Sequence, residues 1–290
     1  MKKTSYLSKK NSKKSYANWI IVYIIMIALV LFTALPLIYV VVTAFKPLDE
    51  LFIYPPRFFV KRPTLRNFVD LLGGLSSSVV PFTRYIFNSF FTTAVIVAVT
   101  VLISSAGAYG LVKQNVPFGN AIFNIIIAAL MFSPHVTQIP SYLVVNKLKM
   151  LNTYWALIIP RLAVAYNFFL MKQFIEGFPD ELLESARIDG AGEWKVFFRI
   201  LMPNIKPAWS TLIVISFLAN WNDYFTALIY TSDQSMKVLT LALQLIGGTS
   251  IARQGAMAAG TFLITAPTII MYMIMQSNVL ETMVHSGIKA

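Results

Sequence analysis

Arg161 and Asp223 are the two strongly ionisable residues set deep within long apolar stretches of this sequence. Either charge left unpaired in hydrocarbon would cost several kcal/mol, so each needs a partner or a polar path. Three arrangements meet that need: a salt bridge between the two, a translocation path in which one or both bind a polar solute, or an interface with a partner protein. The neighbours of Asp223 suit the second. Asn220 and Asn222 carry amides that bind hydroxyls, and Trp221 and Tyr224 carry flat faces that can stack on sugar rings. Trp and Tyr are also common anchors at a membrane surface, so a sugar-contact role for these two stays open.

Covalent and metal chemistry have no comparable constellation. The chain has no cysteine, which removes disulfides, thiol nucleophiles and thiolate-held metals. Paired carboxylates, metal-ligand spacing and a Ser/His/Asp set at one depth are missing, and so is the G-x-x-x-x-G-K-[ST] cradle for nucleotide phosphates. His135, beside Pro134, reads as a capped or packed histidine rather than a metal ligand or proton relay, and His285 as a solvated one. No catalytic residue, metal or cofactor is expected in this chain.

Composition decides what kind of element holds these residues. With 57% hydrophobic residues, 12% charged residues and a mean hydropathy of +0.67, the chain has too little polar surface for a soluble globule of 290 residues. It reads as an all-α integral membrane protein. About 20 apolar residues in a helix cross the hydrocarbon core. Residues 19–45, 85–112 and 255–280 contain no acidic or basic side chain. A helix over about 120–142 is expected to bend or end early at Pro134 and Pro140. The fourth, about 155–175, is interrupted only by Arg161 and Lys172, and the fifth, about 208–230, carries only Asp223.

Six spans put both termini on one side, and six lysines within the first 14 residues put that side in the cytoplasm. The bulk count, 13 Lys/Arg inside against 11 outside, decides little. The apolar run after the lysines is too long for a signal peptide and reads as an uncleaved first helix. The net charge of +12 then serves topology and attraction to anionic lipid rather than nucleic-acid binding. The expected organisation is a basic cytoplasmic tail over 1–18, a six-helix membrane domain over 19–280 with an external loop at 46–84, and a cytoplasmic tail over 281–290. In the external loop, Tyr54-Pro55-Pro56 and Gly73-Gly74 favour turns, and Leu65, Phe68, Val69 and Leu72 are spaced for a short amphipathic helix. A second external loop, about 231–254, holds Gly247-Gly248.

Between the fourth and fifth spans lies a charge-rich loop, 176–207. Pro179 suits a first helical position, Asp180 and Glu181 favour the positive end of a helix dipole, and Asp189-Gly190 supplies a stop. A helix over about 179–188 follows. A second is expected from near Gly192 to Leu201, with Trp194, Phe197, Phe198 and Leu201 on one face and Pro203 breaking it. The product is a helix-turn-helix projection, either a docking element for a partner or a solvated loop with amphipathic edges.

The order Glu184-Ser185-Ala186, Asp189-Gly190-Ala191, then Phe197, Ile200 and Pro203 resembles the EAA loop of ATP-binding-cassette importer permeases. The Asp-Gly-Ala-Gly-Glu-Trp run and the closing Leu-Met-Pro are similar to the maltose-type carbohydrate permeases. The likeness extends to Leu151-Asn152-Thr153-Tyr154-Trp155-Ala156 and Trp221-Asn222-Asp223-Tyr224; Ser185, where the motif name has Ala, is a departure that keeps a small side chain. The resemblance implies the type I importer permease fold, with the loop forming a coupling helix in a cleft of a cytosolic ATPase subunit. Glu184, Ser185, Ala186, Asp189, Gly190 and Ala191 would make that contact, with Ile200 and Pro203 shaping the second arm. It further implies a second homologous permease, two ATPase copies holding ATP and Mg2+, an extracytoplasmic solute-binding protein, a carbohydrate cargo and residence in a bacterial cytoplasmic membrane.

Other classes stay open beside this one. An ABC permease for a non-sugar solute differs only in cargo. An ion-coupled secondary transporter would normally need intramembrane acidic or histidine relays and often an internal repeat, and one Arg with one Asp is thin provision. An intramembrane enzyme lacks its catalytic set.

Overall fold

The computed structural model describes residues 4–73, 80–114, 116–247 and 254–287. The expected turn glycines Gly74 and Gly248, the side chains of the amino-terminal lysines and that of His285 lie outside the described features. Among the described residues every regular element is a helix, with no strand. Among these residues three helices are long and apolar enough to cross a membrane, Trp19–Ala44, Phe82–Lys113 and Gln254–Gln276, and three further bent pairs bring the number of candidate spans to as many as six.

The chain divides into two compact units. One comprises Met1–Leu71 and Thr249–Phe262. It contains α1 (Thr4–Ala44), α2 (Leu48–Leu51), most of α3 (Arg66–Leu72) and the first turns of α15 (Gln254–Gly287). Asn67, almost fully buried, ties α3 to the end of α1 by donating from Nδ2 to the carbonyls of Ala44 at 2.9 Å and Lys46 at 2.7 Å. Gly255 is required beside it, because a Cβ there would lie 2.3 Å from Asn67 Oδ1. The rings of Phe45, Phe68 and Phe262 complete this packing. The expected amphipathic face is corrected: α3 buries Asn67 and Leu71, while Leu65, Val69 and Leu72 are exposed.

The other unit comprises Leu72–Gly248 and Leu263–Ala290. Its centre is α4 (Phe82–Lys113), which packs on α8 (Ala165–Glu176) and on α12 (Lys206–Trp221). The buried face of α4 is rich in small polar residues, among them Ser89, Thr92, Thr93, Thr100, Ser104 and Ser105. Such side chains let helices approach closely where lipid removes the hydrophobic incentive to associate. At Gly107 the approach is close, since a Cβ would meet the Phe168 ring of α8 at 3.1 Å.

Three of the expected spans are broken, the third near the bend expected at Pro134 and the fourth and fifth where no break is expected. The third span becomes α5 (Gly119–Leu130) and α6 (Pro134–Lys147), which meet at 108°. Pro134 forces extended backbone on Ser133 (φ −64°, ψ 136°) and then starts α6. Pro140 lies within α6 without ending it. The fourth span becomes α7 (Tyr154–Ile158), a 3-10 turn over Ile159–Arg161 that contains Pro160, and α8, bent by 45°. The fifth stops at Trp221 and resumes as α13 (Phe225–Tyr230), with Asp223 in the gap.

The loop over 176–207 forms α9 (Asp180–Ile188), α10 (Glu193–Val196), a π turn over Phe197–Leu201 and α11 (Met202–Asn204). Pro203 therefore does not end the second arm. The π turn shifts the Met202 N–H onto Phe197 O and carries the helix past the missing proline donor to an 81° bend before α12. Phe197 and Leu201 are buried, but Trp194 is 71% and Phe198 49% exposed, so the expected aromatic face is split between core and surface.

At the far end of the unit, α14 (Leu239–Gly247) packs on α4 and α13. Asn88, fully buried on α4, donates to the carbonyls of Ser235 and Lys237 and accepts from the Tyr154 hydroxyl. Asn152, at φ 59°, accepts from the backbone N–H groups of Ser232 and Asp233. The Asn152-Thr153-Tyr154 segment thus pins the connection that follows α13.

Candidate functional site

The turn of the charge-rich loop is a Schellman cap. Gly190, at φ 80°, donates to Arg187 O, and Ala191 donates to Ala186 O, each at 3.0 Å. Only glycine takes this conformation without strain, and no atom lies within 4 Å of where its Cβ would stand. Gly190 is needed for its backbone, leaving the space above it clear.

Around that turn the residues sort by exposure. Glu184, Ser185, Asp189 and Gly190 are exposed, and Ala186 and Ala191 are half-buried against the core. The Ser185 hydroxyl donates to Glu181 O at 2.7 Å, so it is satisfied within its own helix. Ile200 packs on the core from the second arm, and Pro203 lies at the root of that arm, away from the turn in sequence. Beneath them, Leu183, Val196, Phe197 and Leu201 join Ala108 and Tyr109 of α4, Met171 and Ile175 of α8, and Leu212 of α12 in one buried cluster. Leu182, Ile188, Trp194 and Phe198 remain exposed, with the Trp194 and Phe198 rings stacked 5.9 Å apart.

Side chains on both arms lock the projection to α4. Glu193 Oε2 accepts from the Tyr109 hydroxyl and the Gln114 amide, each at 2.6 Å, and Glu193 Oε1 accepts from Arg187 Nε at 2.9 Å. Arg187 Nη2 also donates to the Tyr109 oxygen at 3.3 Å. The Arg187 hydrogen bonds, then that of Tyr109, hold the Glu193 carboxyl below the usual carboxylate range. Lys113, at the end of α4, donates to Phe178 O at 2.8 Å and pairs with Asp180 at 2.7 Å. Sequence reading missed this clasp. Its one legible signal is the pair of opposite charges at Arg187 and Glu193 astride the Asp189-Gly190 turn.

Arg161 and Asp223 meet in the gaps of two broken helices. Arg161 Nη2 lies 2.7 Å from Asp223 Oδ2 and 3.3 Å from Ala219 O. Asp223 Oδ1 accepts from the backbone N–H groups of Phe225 and Thr226 and so caps α13, while its own carbonyl accepts from Thr240. The neighbours turn elsewhere. Asn220 and Asn222 donate back to Ser216 O and Leu218 O. Trp221, 4% exposed, stacks on Phe217 and gives its indole N–H to Ile264 O. Tyr224 is half-buried against the cluster formed by Val145, Ala156, Leu157 and Tyr230. The pair is thus charge-balanced, and Trp221 has its donor already engaged. No group of metal-binding side chains occurs among the described residues.

Residues 100–279 match the family described as binding-protein-dependent transport system inner membrane component. Protein LplC of Bacillus subtilis (strain 168) is 36% identical over 217 residues, which cover 73% of this chain and 70% of LplC. The polygalacturonan/rhamnogalacturonan transport system permease protein YtcP of the same organism is 30% identical over 82% of this chain and 81% of its own. A solved bacterial ABC transporter involved in import of the acidic polysaccharide alginate superposes with a TM-score of 0.78 over 91% of this chain and 97% of that one, at 20% identity. That last likeness is one of fold.

Proposed function

The chain belongs to the family of binding-protein-dependent transport system inner membrane components, and from that premise we propose that it takes up saccharides as one of two permease subunits of an ABC importer. It is a multi-pass cell-membrane protein, and a permease rather than an enzyme. The cargo follows from the relatives: YtcP is named for polygalacturonan and rhamnogalacturonan transport, and the structural neighbour for alginate import. An extracytoplasmic solute-binding protein delivers the saccharide, and a second, homologous permease completes the path.

Both termini face the cytoplasm, with tails over 1–18 and 281–290 flanking the six-helix domain over 19–280. ATP and Mg2+ are held by two cytosolic ATPase subunits. Each engages a permease through a coupling loop, here Glu184, Ser185, Ala186, Asp189, Gly190 and Ala191, with Ile200 and Pro203 shaping the second arm. Closure of the ATPase pair on ATP displaces this tip. Because the Glu193 clasp and the buried cluster join the tip to α4, α8 and α12, the displacement reaches the bundle as a rigid movement rather than being absorbed in the loop. Arg161 and Asp223, with Asn220, Trp221, Asn222 and Tyr224, are the candidates for the path. As paired in this conformation, the two charges hold the α7–α8 and α12–α13 junctions together.

The observation that carries the reading is the exposed apolar set Leu182, Ile188, Trp194 and Phe198 around Glu184, on a projection otherwise locked to the membrane helices. The chain has no cysteine, so Ala186→Cys places a single thiol at the tip. In the assembled complex it is expected to crosslink to a cysteine in the ATPase cleft, with a yield that changes on adding ATP. A tip that reacts with soluble reagent alone, and equally with or without ATP, would refute the docking.

A further inference from the structure

We propose that the pocket where α4 ends, α5 begins and α8 ends binds the headgroup of an ethanolamine phospholipid, its phosphate on Lys172 and its primary ammonium on Glu176. The pocket, about 460 Å3, is lined by Leu111, Val116, Asn120, Phe123, Lys172 and Glu176 among others. That volume lies within the range of small-molecule sites, about 300–1,000 Å3. All three helices belong to candidate spans, α4 by itself and α5 and α8 as halves of bent pairs. The pocket lies at the ends of those spans, four residues before the coupling-loop helix α9 in the case of Glu176. Lipid headgroups occupy that depth, beyond the hydrocarbon core.

Both charges can be reached. The Lys172 side chain is 14% and that of Glu176 52% exposed. Lys172 Nζ donates to Glu176 Oε2 at 2.7 Å and stands over the Phe123 ring, 4.2 Å from its centre. Phe123 in turn stacks on Phe169 of α8, which fixes the ring beneath the ammonium. An ammonium carries three donors and a carboxylate accepts on both oxygens, so the bond between the two leaves each with capacity for a ligand.

The order of the pair argues against a mere helix brace. A lysine four residues before a glutamate is the less favourable orientation, and Glu176, the last residue of α8, places its charge at the negative end of that helix. An added cation there would offset both defects. The ligand must also suit Lys172, so it carries a negative group as well. A headgroup with net negative charge would meet Glu176 as a like charge, and a choline headgroup has no N–H to donate to it. An ethanolamine headgroup meets both demands: its phosphate accepts from Lys172 and its ammonium donates to Glu176, each a charge-assisted bond. Val116 and Phe118, both exposed and both lining the pocket, offer an apolar rim to the glycerol end. The site depends on the chain spanning a membrane and not on what it transports.

The test places the complete transporter in nanodiscs holding equal parts of phosphatidylethanolamine, phosphatidylcholine and phosphatidylglycerol with identical acyl chains. Native mass spectrometry then counts the lipids retained on release into detergent. The wild type should retain the ethanolamine lipid about tenfold over the choline lipid, the equivalent of ~1.4 kcal/mol. Glu176→Gln should lose that preference while Tm stays the same, because an exposed pair in the unfavourable order contributes little to stability. Glu176→Lys should turn the preference towards phosphatidylglycerol, a switch that a purely structural role would not produce. Equal retention of ethanolamine and choline lipids by the wild type, or a preference for phosphatidylglycerol, would overturn the site. So would a lipid pattern in Glu176→Gln identical to that of the wild type, which is also the result expected if a partner subunit covers the pocket.

Discussion

Glu193→Gln is the sharpest probe of how the coupling loop is held. The glutamine keeps the shape and one acceptor oxygen but loses the charge that binds Arg187, the Tyr109 hydroxyl and the Gln114 amide together. The ion pair contributes little by itself, since Glu193 is 47% and Arg187 33% exposed and such pairs amount to about 0–1 kcal/mol. The Tyr109 bond matters more. Its ring is 5% exposed, and a hydrogen bond to a charged acceptor is worth about 1.5–3 kcal/mol, part of which the amide oxygen retains. Together the loss is about 1–2 kcal/mol, or roughly a 5–30-fold rise in the population of the unlatched loop. Hydrogen exchange on the assembled complex reads this directly: amides over 180–204 should exchange faster by that factor, while those in the middle of α4 do not. More ATP should be hydrolysed per solute moved. Tyr109→Phe added to Glu193→Gln should cost less than the sum of the two alone, because both remove one bond. Exchange within twofold of wild type, or full additivity, would refute the clasp. The pH dependence has a definite sign. The Glu193 carboxyl is lowered in the folded protein, so its contribution is complete above the unfolded value near 4.5 and is lost as pH falls through the lowered one.

Other perturbations separate backbone, charge and packing. Gly190→Ala meets no atom and bears only the cost of the left-handed conformation, about 1–2 kcal/mol, so transport should survive; Gly190→Pro cannot adopt φ 80° and loses the bond to Arg187 O, so transport should stop while the chain still inserts, as membrane abundance and uptake would show. Reversing either Arg161 or Asp223 should abolish accumulation of the folded protein. Exchanging both should restore it only in part, because an arginine at 223 cannot accept from Phe225 and Thr226; full recovery on immunoblots would show that the cap is dispensable. Gly107→Val should separate α4 from α8 and lower stability by about 1–3 kcal/mol, measured as a fall in Tm of the purified complex.

The helical class, the positions of the long spans and the arm ending at Gly190 are legible because each depends on local chemistry: uncharged length, acids in a first turn, a glycine at positive φ; Pro179, expected as the first helical residue, instead lies in extended backbone just before the helix, which begins at Asp180. What escaped was non-local or cumulative. Pro134 signals a bend, but nothing nearby in sequence sets its angle at 108°. Pro160 lacks the N–H that a continuous helix needs at that point, and the proline sits in the 3-10 turn that interrupts the fourth span. Pro203 does not end the second arm, since a π turn upstream absorbs its missing donor. Tyr109 joins Glu193 across 84 residues, and no pattern within either segment signals the bond. The burial of Trp221 likewise depends on Ile264, in a different helix.

The central claim is best tested by gentle purification of this chain from its native membrane, with co-purifying proteins identified and ATP hydrolysis assayed with the solute-binding protein and a panel of oligosaccharides. A second permease, a nucleotide-binding subunit and hydrolysis stimulated by one saccharide are predicted. A chain that purifies alone and moves solute without ATP would contradict the account.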